Sequence, residues 1–296
     1  MKRLLGELSA AAGSGVTAIA VTTLVLNVIL FAVGGPDYVV LSIAGSVFGL
    51  TLILIQLMRR LERTLSAEIR ETDDQQQSFI SLVDWIEPRR ALPSFSGWAI
   101  SPELALDLAS LIHRRRPSLI VELGSGTSTI VLGYCAQSVG ATVLSLDHRA
   151  DYARSTSRML EDHELHDVVS VVHAPLTDVE LDGRTWRWYR TDSLRRIERI
   201  DMLFVDGPPG AVHSMARYPA LPVLLPKLGG GSFTILDDAD RSDEQRIIQA
   251  WRRRIPDLIV ERVGGKRAGL ISFASAGGSE QVGVDSGATI HGATAI

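Results

Sequence analysis

Two long runs of uncharged, mostly apolar residues open the chain. The first covers residues 8–36, with its most apolar part at 15–33, and the second covers residues 38–58. A helix needs about 20 apolar residues to cross a hydrocarbon layer of ~30 Å. Because lipid offers no partners to backbone polar groups, a spanning segment of this kind must be helical. The pattern therefore predicts two transmembrane α-helices.

The flanks of these runs predict how the helices are arranged. The turn signal Gly34-Gly35-Pro36-Asp37 separates them, so residues 1–60 are expected to form an antiparallel transmembrane hairpin. Positive charges lie on one side of it only, at Lys2, Arg3, Arg59, Arg60 and Arg63. The positive-inside rule then places both termini, and everything after residue 59, on the cytoplasmic side of the inner (plasma) membrane. A cleaved signal peptide and a fully buried soluble helical hairpin are the alternatives, and the second apolar run argues against the signal peptide.

Residues 61–95 are predicted to be a polar helical connector. Leu61, Leu65 and Ile69 recur every four residues, which indicates a helix with one narrow apolar stripe. Two copies of the chain are expected to pair through residues 38–70, and a solvated stalk is the alternative. Residues 79–86 are apolar again and are expected to pack on the domain that follows.

Beyond residue 115, strand-like and helix-like patterns alternate. Continuous runs of Val, Ile and Leu indicate strands that are covered on both faces. The predicted fold class is therefore α/β, with a mostly parallel sheet between helix layers in residues 96–274. The predicted strands are 118–123, 142–146, 168–173, 200–205, 232–236, 258–263 and 268–273, and the predicted helices are 127–137, 151–164, 213–228 and 243–254. Residues 177–184 are expected to be an inserted loop, and the Gly-, Ala- and Ser-rich tail 275–296 to be disordered.

Composition narrows the range of functions. Apolar residues make up 46% of the chain, which fits a protein that is partly embedded in lipid. The formal net charge is -4, and the arginine clusters have no interleaved aromatic residues, so no nucleic-acid partner is expected. Cys135 is the single cysteine, which excludes an intrachain disulfide and a Cys-rich zinc site.

The end of the first predicted strand carries a glycine-rich loop. Residues 122–129 read Glu-Leu-Gly-Ser-Gly-Thr-Ser-Thr, and a helix is predicted to begin within them. Two glycines let a ligand approach the backbone closely, and a helix N-terminus offers free N–H groups. A dinucleotide motif would need glycine at position 129, where the chain has Thr129, and this argues against NAD or FAD. Asp147 ends the second strand, where a carboxylate can accept both ribose hydroxyls of an adenosine ligand; the alternative is a helix-capping aspartate.

Residues 121–128 together with Asp147 resemble the cofactor motifs of class I S-adenosylmethionine-dependent methyltransferases. The resemblance covers about residues 96–273 and implies a Rossmann-like sheet of seven strands with helices on both faces. It implies that the glycine loop holds the methionine end of the cofactor, that Asp147 holds its ribose, and that the end of the third strand lies near its adenine. Ser128 stands where the family usually has a third glycine. The cofactor-binding residues so implied are Glu122, Gly124, Ser125, Gly126, Thr127, Ser128, Asp147, His148, His173, Ala174 and Asp206.

Three carboxylates are predicted to meet at neighbouring strand ends. They are Asp206, Asp237 and Asp238, and oxygen clusters of this kind suit Mg²⁺, Ca²⁺ or Mn²⁺. The arrangement is similar to the cation-dependent O-methyltransferases of the catechol type, except that Asp238 stands where that family has asparagine. A bacterial methyltransferase group with a VDG…DD pattern is also similar. The alternative is that these aspartates cap helices or pair with Arg217 or Arg241.

The combined interpretation is a membrane-anchored S-adenosylmethionine-dependent O-methyltransferase. Its expected acceptor is a hydroxyl of a small molecule, a sugar or a lipid-linked compound. Either a divalent cation such as Mg²⁺ activates that hydroxyl, or a base, Asp206 or His213, takes its proton. The alternatives are a Rossmann-like NAD(P) oxidoreductase and a non-catalytic scaffold tethered to the membrane.

Overall fold

A computed structural model of the protein describes residues 39–255, 257–264 and 268–273, together with five helical positions between residues 22 and 32. The chain divides into two compact units, Met1–Asp74 and Gln75–Ile296. The predicted first span, except for those five positions, the turn at 34–37 and the predicted tail 275–296 lie outside the described residues.

One helix, α1 (Val39–Ile86), covers the second apolar run and most of the predicted connector 61–95, in which residues 87–95 are not helical. Among the described residues, the helix at Val40–Ile86 has the length and apolar composition of a membrane span. In the first unit, the stripe residues Leu61, Leu65 and Ile69 each leave 53% of their surface exposed. In the second unit, Leu82 near the end of α1 is fully buried, as expected for an apolar segment that packs on the α/β domain.

The second unit contains the predicted alternation of strands and helices. Helix α2 (Pro102–Arg115) begins where the Ser101 side chain accepts a hydrogen bond from the Leu104 amide (3.2 Å) and Pro102 occupies the first turn. The other helices are α3 (Thr127–Val139), α4 (Ala150–Asp162), α5 (Ala220–Leu224) and α6 (Ser242–Arg254). The strands are β1 (Leu119–Leu123), β2 (Thr142–Asp147), β3 (Val169–His173), β4 (Leu176–Leu181), β5 (Arg184–Tyr189), β6 (Ile200–Val205), β7 (Leu228–Leu236), β8 (Leu258–Val263) and β9 (Ala268–Phe273).

Seven strands form one sheet in the order β3-β2-β1-β6-β7-β9-β8. The first five are parallel, whereas β9 runs antiparallel to both β7 and β8. Successive residues of a strand point to opposite faces. Accordingly, Met202 and Phe204 of β6 join one apolar core, and Leu203 and Val205 join the other. The predicted seven-stranded sheet, covered on both faces, is confirmed.

Two predicted segments differ from the structure. Residues 177–184 belong to an antiparallel hairpin of β4 and β5 and are not an irregular loop. Its turn is Asp182-Gly183 with both residues at positive φ, and this dipeptide is a strong hairpin signal that the sequence interpretation missed. The predicted helix 213–228 is reduced to α5 and a following 3₁₀ turn, because Pro219 and Pro222 cannot donate backbone hydrogen bonds and Met215 adopts a positive φ of 57°.

Candidate active site

The carboxyl ends of β1, β2, β6 and β7 surround a cavity of about 500 Å³. Backbone hydrogen bonds continue past the strands and hold these ends side by side. The Gly124 amide donates to the Leu146 carbonyl (2.8 Å), and the Asp206 amide donates to the Leu123 carbonyl (2.9 Å). Open α/β sheets bind their ligands at this edge, and the cavity volume is in the usual range for a small-molecule site.

The cavity brings together about half of the predicted site residues. Its lining includes Gly124, Ser125, Asp147, His148, Asp206, Asp237 and Asp238. The predicted residues outside its lining are Glu122, Gly126, Thr127, Ser128, His173, Ala174 and His213.

Glu122 is fully buried beneath the glycine loop. Its carboxylate accepts hydrogen bonds from the Ser128 hydroxyl (2.6 Å) and the Thr129 hydroxyl (2.7 Å), and the Thr129 oxygen in turn accepts one from the Gly126 amide (2.9 Å). Burial raises the pKa of Glu122 to about 7, while the hydrogen bonds from the two hydroxyls oppose this rise. In this structure Glu122 therefore supports the loop from below and does not line the cavity.

Gly124 places bare backbone at the cavity wall. Its φ of +114° is one that residues with side chains rarely adopt, and a Cβ there would lie 3.5 Å from the carbonyl carbon of Asp206. This backbone conformation keeps side chains off the surface between Asp147 and Asp206.

Asp147 presents a carboxylate on the β2 side of the cavity. It accepts hydrogen bonds from the Ser125 hydroxyl (2.5 Å) and the Arg149 amide (2.8 Å). His148 lies beside it, with Nδ1 3.7 Å from an Asp147 oxygen, and burial lowers the pKa of His148 below its usual value. The end of β3 lies next to Asp147, since the Ala174 amide donates a hydrogen bond to the Asp147 carbonyl (2.7 Å). The side chain of His173, the last residue of β3, is exposed.

Asp206, Asp237 and Asp238 form a carboxylate cluster on the opposite side of the cavity. One oxygen from each lies within 4.8 Å of the others. Burial, followed by repulsion from neighbouring carboxylates, raises the pKa of Asp206 and of Asp237. The predicted meeting of the three side chains is present in the structure.

Arg217 is the cation of this cluster. Its Nη2 lies 3.1 Å from Asp206 Oδ1 and 3.1 Å from Asp238 Oδ2, and it also donates to the Asp206 carbonyl (2.9 Å). Its Nη1 donates to the Asp237 carbonyl (2.9 Å), and the residue is only 4% exposed. The guanidinium therefore lies among the oxygen atoms that a divalent cation would need, so the cluster does not fit a cation while Arg217 keeps this position.

Tyr189 is a cavity residue that the sequence interpretation did not assign to the site. It ends β5, is 1% exposed, and its hydroxyl is buried without a hydrogen-bond partner among the described residues. A Cβ at Gly207 would overlap with this hydroxyl, so a larger residue there would displace the Tyr189 side chain. An unpartnered buried hydroxyl at a cavity wall is suited to donate to a ligand.

His213 lies apart from the cavity. Its Nδ1 is 3.0 Å from the Ser214 carbonyl, its Nε2 is 3.3 Å from the Arg187 carbonyl, and its ring contacts Trp186 at 5.5 Å between centroids. These contacts connect the segment before α5 to the β4–β5 hairpin, and no ring nitrogen faces the site. His213 is therefore not among the residues that line the cavity in this structure, and its role as a base stays a prediction of the sequence.

Comparison with known proteins agrees with this geometry. Residues 121–239 match a family described as a methyltransferase domain. A methyltransferase from Podospora anserina, solved with S-adenosylhomocysteine, superposes with a TM-score of 0.51 over 70% of this chain and 95% of its own, at 13% identity. The domain has a methyltransferase fold.

Two further solved structures resemble this methyltransferase fold. An O-methyltransferase from Bacillus cereus in complex with S-adenosylhomocysteine is 20% identical over 66% of this chain and 89% of its own, with a TM-score of 0.44. The O-methyltransferase of tomaymycin synthesis from Streptomyces achromogenes, in complex with S-adenosylmethionine, is 14% identical over 67% of this chain and 88% of its own, with a TM-score of 0.43. No curated protein matches the chain.

Proposed function

We propose that the protein is an S-adenosylmethionine-dependent O-methyltransferase that acts on a hydroxyl of a small molecule, a sugar or a lipid-linked compound. The observation that carries the proposal is the cavity at the strand ends. Its wall has a carboxylate at Asp147, placed to accept the ribose hydroxyls of an adenosine ligand, and exposed backbone at Gly124. A carboxylate cluster lies at Asp206, and all three residues fall within the segment that matches a methyltransferase domain.

The donor is proposed to occupy the half of the cavity nearest β1 and β2. Asp147 would accept the two ribose hydroxyls, and the Gly124–Ser125 backbone would face the methionine end. Tyr189 has a free hydroxyl to donate, and its ring already packs against His148 with centroids 6.2 Å apart. Glu122 acts indirectly, by holding the Ser128 and Thr129 hydroxyls that shape the loop.

The acceptor is proposed to enter beside Asp206. S-adenosylmethionine, when bound, supplies an electrophilic methyl group on a sulfonium sulfur. The protein must then align the acceptor oxygen with that group and receive the hydroxyl proton. Asp206 is the proposed base, because its carboxylate lies at the cavity wall on the side opposite Asp147. The alternative predicted from the sequence, a divalent cation on the three aspartates, would require Arg217 to leave its present position.

The donor assignment is tested by titrating the detergent-solubilised full chain with S-adenosylhomocysteine and, separately, with NAD⁺. We expect saturable calorimetric binding of S-adenosylhomocysteine and none of NAD⁺, since the Thr129 hydroxyl occupies the position at which a dinucleotide loop needs glycine. The reverse preference would overturn the proposal. Binding without methyl transfer to any hydroxyl acceptor would favour the scaffold alternative.

Membrane anchoring is proposed as the setting of this activity. Residues of α1 such as Val40, Val47 and Phe48 each leave more than half of their surface exposed, as lipid-facing side chains do, and Arg59 and Arg60 follow this apolar stretch. By the positive-inside rule the methyltransferase domain then lies in the cytoplasm. The first span, and the pairing of two copies through residues 38–70, stay predictions of the sequence.

Anchoring predicts that the full chain stays in the membrane pellet after alkaline carbonate extraction. In spheroplasts, external protease should leave the Gln75–Ile296 unit intact, whereas in inverted vesicles it should digest the exposed chain. Release of the full chain by carbonate would contradict an integral anchor.

A further inference from the structure

We propose that Arg217 is a built-in cation of the carboxylate cluster, which takes the place of a divalent metal ion, so that this site works without bound metal. The inference deepens the proposed function, because Asp206 lies at its acceptor end. Cation binding is measured independently of methyl transfer, so the two proposals can fail separately.

Geometry is the first argument. The same nitrogen of Arg217 approaches an Asp206 oxygen and an Asp238 oxygen, both at 3.1 Å. Protein oxygens bind Mg²⁺ at about 2.1 Å. A Mg²⁺ ion on either of those oxygens would therefore lie within about 5 Å of Nη2, the sum of the two distances. A doubly charged ion so close to a buried guanidinium is strongly disfavoured.

The way Arg217 is held is the second argument. Two backbone carbonyls, those of Asp206 and Asp237, accept hydrogen bonds from its two terminal nitrogens at 2.9 Å each. The Glu244 carboxylate lies 3.9 Å from Nε and is itself buried. Moving the guanidinium away to admit an ion would break these contacts and leave charges buried without partners, which is costly.

Charge is the third argument. Asp238 is shared between buried Arg217 and a second arginine, Arg241, whose nitrogen lies 2.8 Å from its other oxygen. Both oxygens of Asp238 are thus engaged by guanidinium groups. Asp237 Oδ1 accepts a hydrogen bond from the Asp238 amide at 2.7 Å, which occupies one of the two lone pairs of that oxygen.

The test is Mn²⁺ binding to the full-length protein in detergent, with Mn²⁺ as the probe for a divalent site. The wild-type protein should bind no Mn²⁺ at the cluster, as measured by electron paramagnetic resonance, and its Tm should not change with Mn²⁺. Arg217→Met removes the built-in cation and should create a site. Its Tm should then rise by several degrees in Mn²⁺, because a ligand that binds only the folded state stabilises it. Adding Asp206→Asn to Arg217→Met should abolish this gain.

Arg241→Met is the matched control. It removes an exposed arginine from the same Asp238 but leaves Arg217 in place, so it should create no Mn²⁺ site. One Mn²⁺ bound to the wild-type protein and lost in Asp237→Asn would overturn the inference, and this arm does not depend on the stability of Arg217→Met. An Arg217→Met protein that folds but gains neither Mn²⁺ nor thermal stability from it would also overturn it.

Discussion

Replacing Asp147 by alanine is expected to weaken binding of S-adenosylhomocysteine by about 100-fold or more. The buried carboxylate is the proposed acceptor of two ribose hydroxyls, and each hydrogen bond to a charged group contributes at least about 1.5 kcal/mol. Two such bonds amount to about 3 kcal/mol, or roughly a 100-fold change in Kd. Calorimetric titration of wild-type and variant proteins measures this loss, and thermal unfolding shows whether the Ser125 contact to Asp147 is also needed for stability.

Two further variants make the Asp147 result specific. Asp167→Ala removes an exposed carboxylate from the loop before β3, far from the carboxyl ends of the strands, and should leave Kd unchanged. Tyr189→Phe removes one neutral hydroxyl at the cavity wall and should give a smaller loss, of about 2- to 10-fold. An Asp147→Ala protein that is folded and binds as tightly as the wild type would contradict the proposed donor site.

Glu122 is expected to make stability depend on pH between about 4.5 and 7. Its pKa is about 7 in the folded protein and 4.5 as an ordinary glutamate. Below pH 4.5 the Glu122 carboxyl is protonated in both the folded and the unfolded chain, and its contribution to the stability of the fold is fully present. As pH rises to 7 the unfolded chain loses its proton first, so stability falls, by about 3 kcal/mol in total. Above pH 7 this contribution stays constant.

In Glu122→Gln the side chain at this position cannot ionise, so the variant should not lose this part of its stability as pH rises. The Tm of the wild type relative to Glu122→Gln should therefore fall as pH rises from 4.5 to 7.5, by roughly 5–10 °C. Other buried carboxylates titrate in both proteins, so their contribution largely cancels in the comparison; the Glu122 charge is the smallest of the causes that raise the pKa of Asp206. Glu164→Gln, at an exposed position, is the control and should track the wild type. A constant difference between wild type and Glu122→Gln across this pH range would show that the loop does not depend on the ionisation of this carboxyl group.

The domain was predictable from the sequence because its signals are local. Parallel strands that are buried on both faces must be continuous apolar runs, and the strands Ile200–Val205, Leu258–Val263 and Ala268–Phe273 have the predicted bounds. The parallel topology also requires strand ends to meet at one edge. For this reason the positions of Asp147 and Asp206 in the sequence are enough to predict that they share one site.

Other features needed the tertiary structure, because they depend on contacts between segments that are distant in sequence. Glu122 was expected to contact the cofactor, but only the fold shows that two hydroxyls of α3 bind it beneath the loop. Arg217 lies in a segment whose sequence resembles a helix, and its place in the carboxylate cluster depends on turns that two prolines and Met215 impose. Tyr189 reaches the cavity because a hairpin returns the chain to the end of β3.

The sequence by itself therefore determined the fold class and the edge of the sheet at which chemistry is expected, since hydrophobic periodicity and the succession of strands and helices are properties of the linear chain. The tertiary structure decided which charges meet at that edge. Whether three aspartates face a metal ion or an arginine depends on the position of a single buried guanidinium, and no local pattern specifies that position.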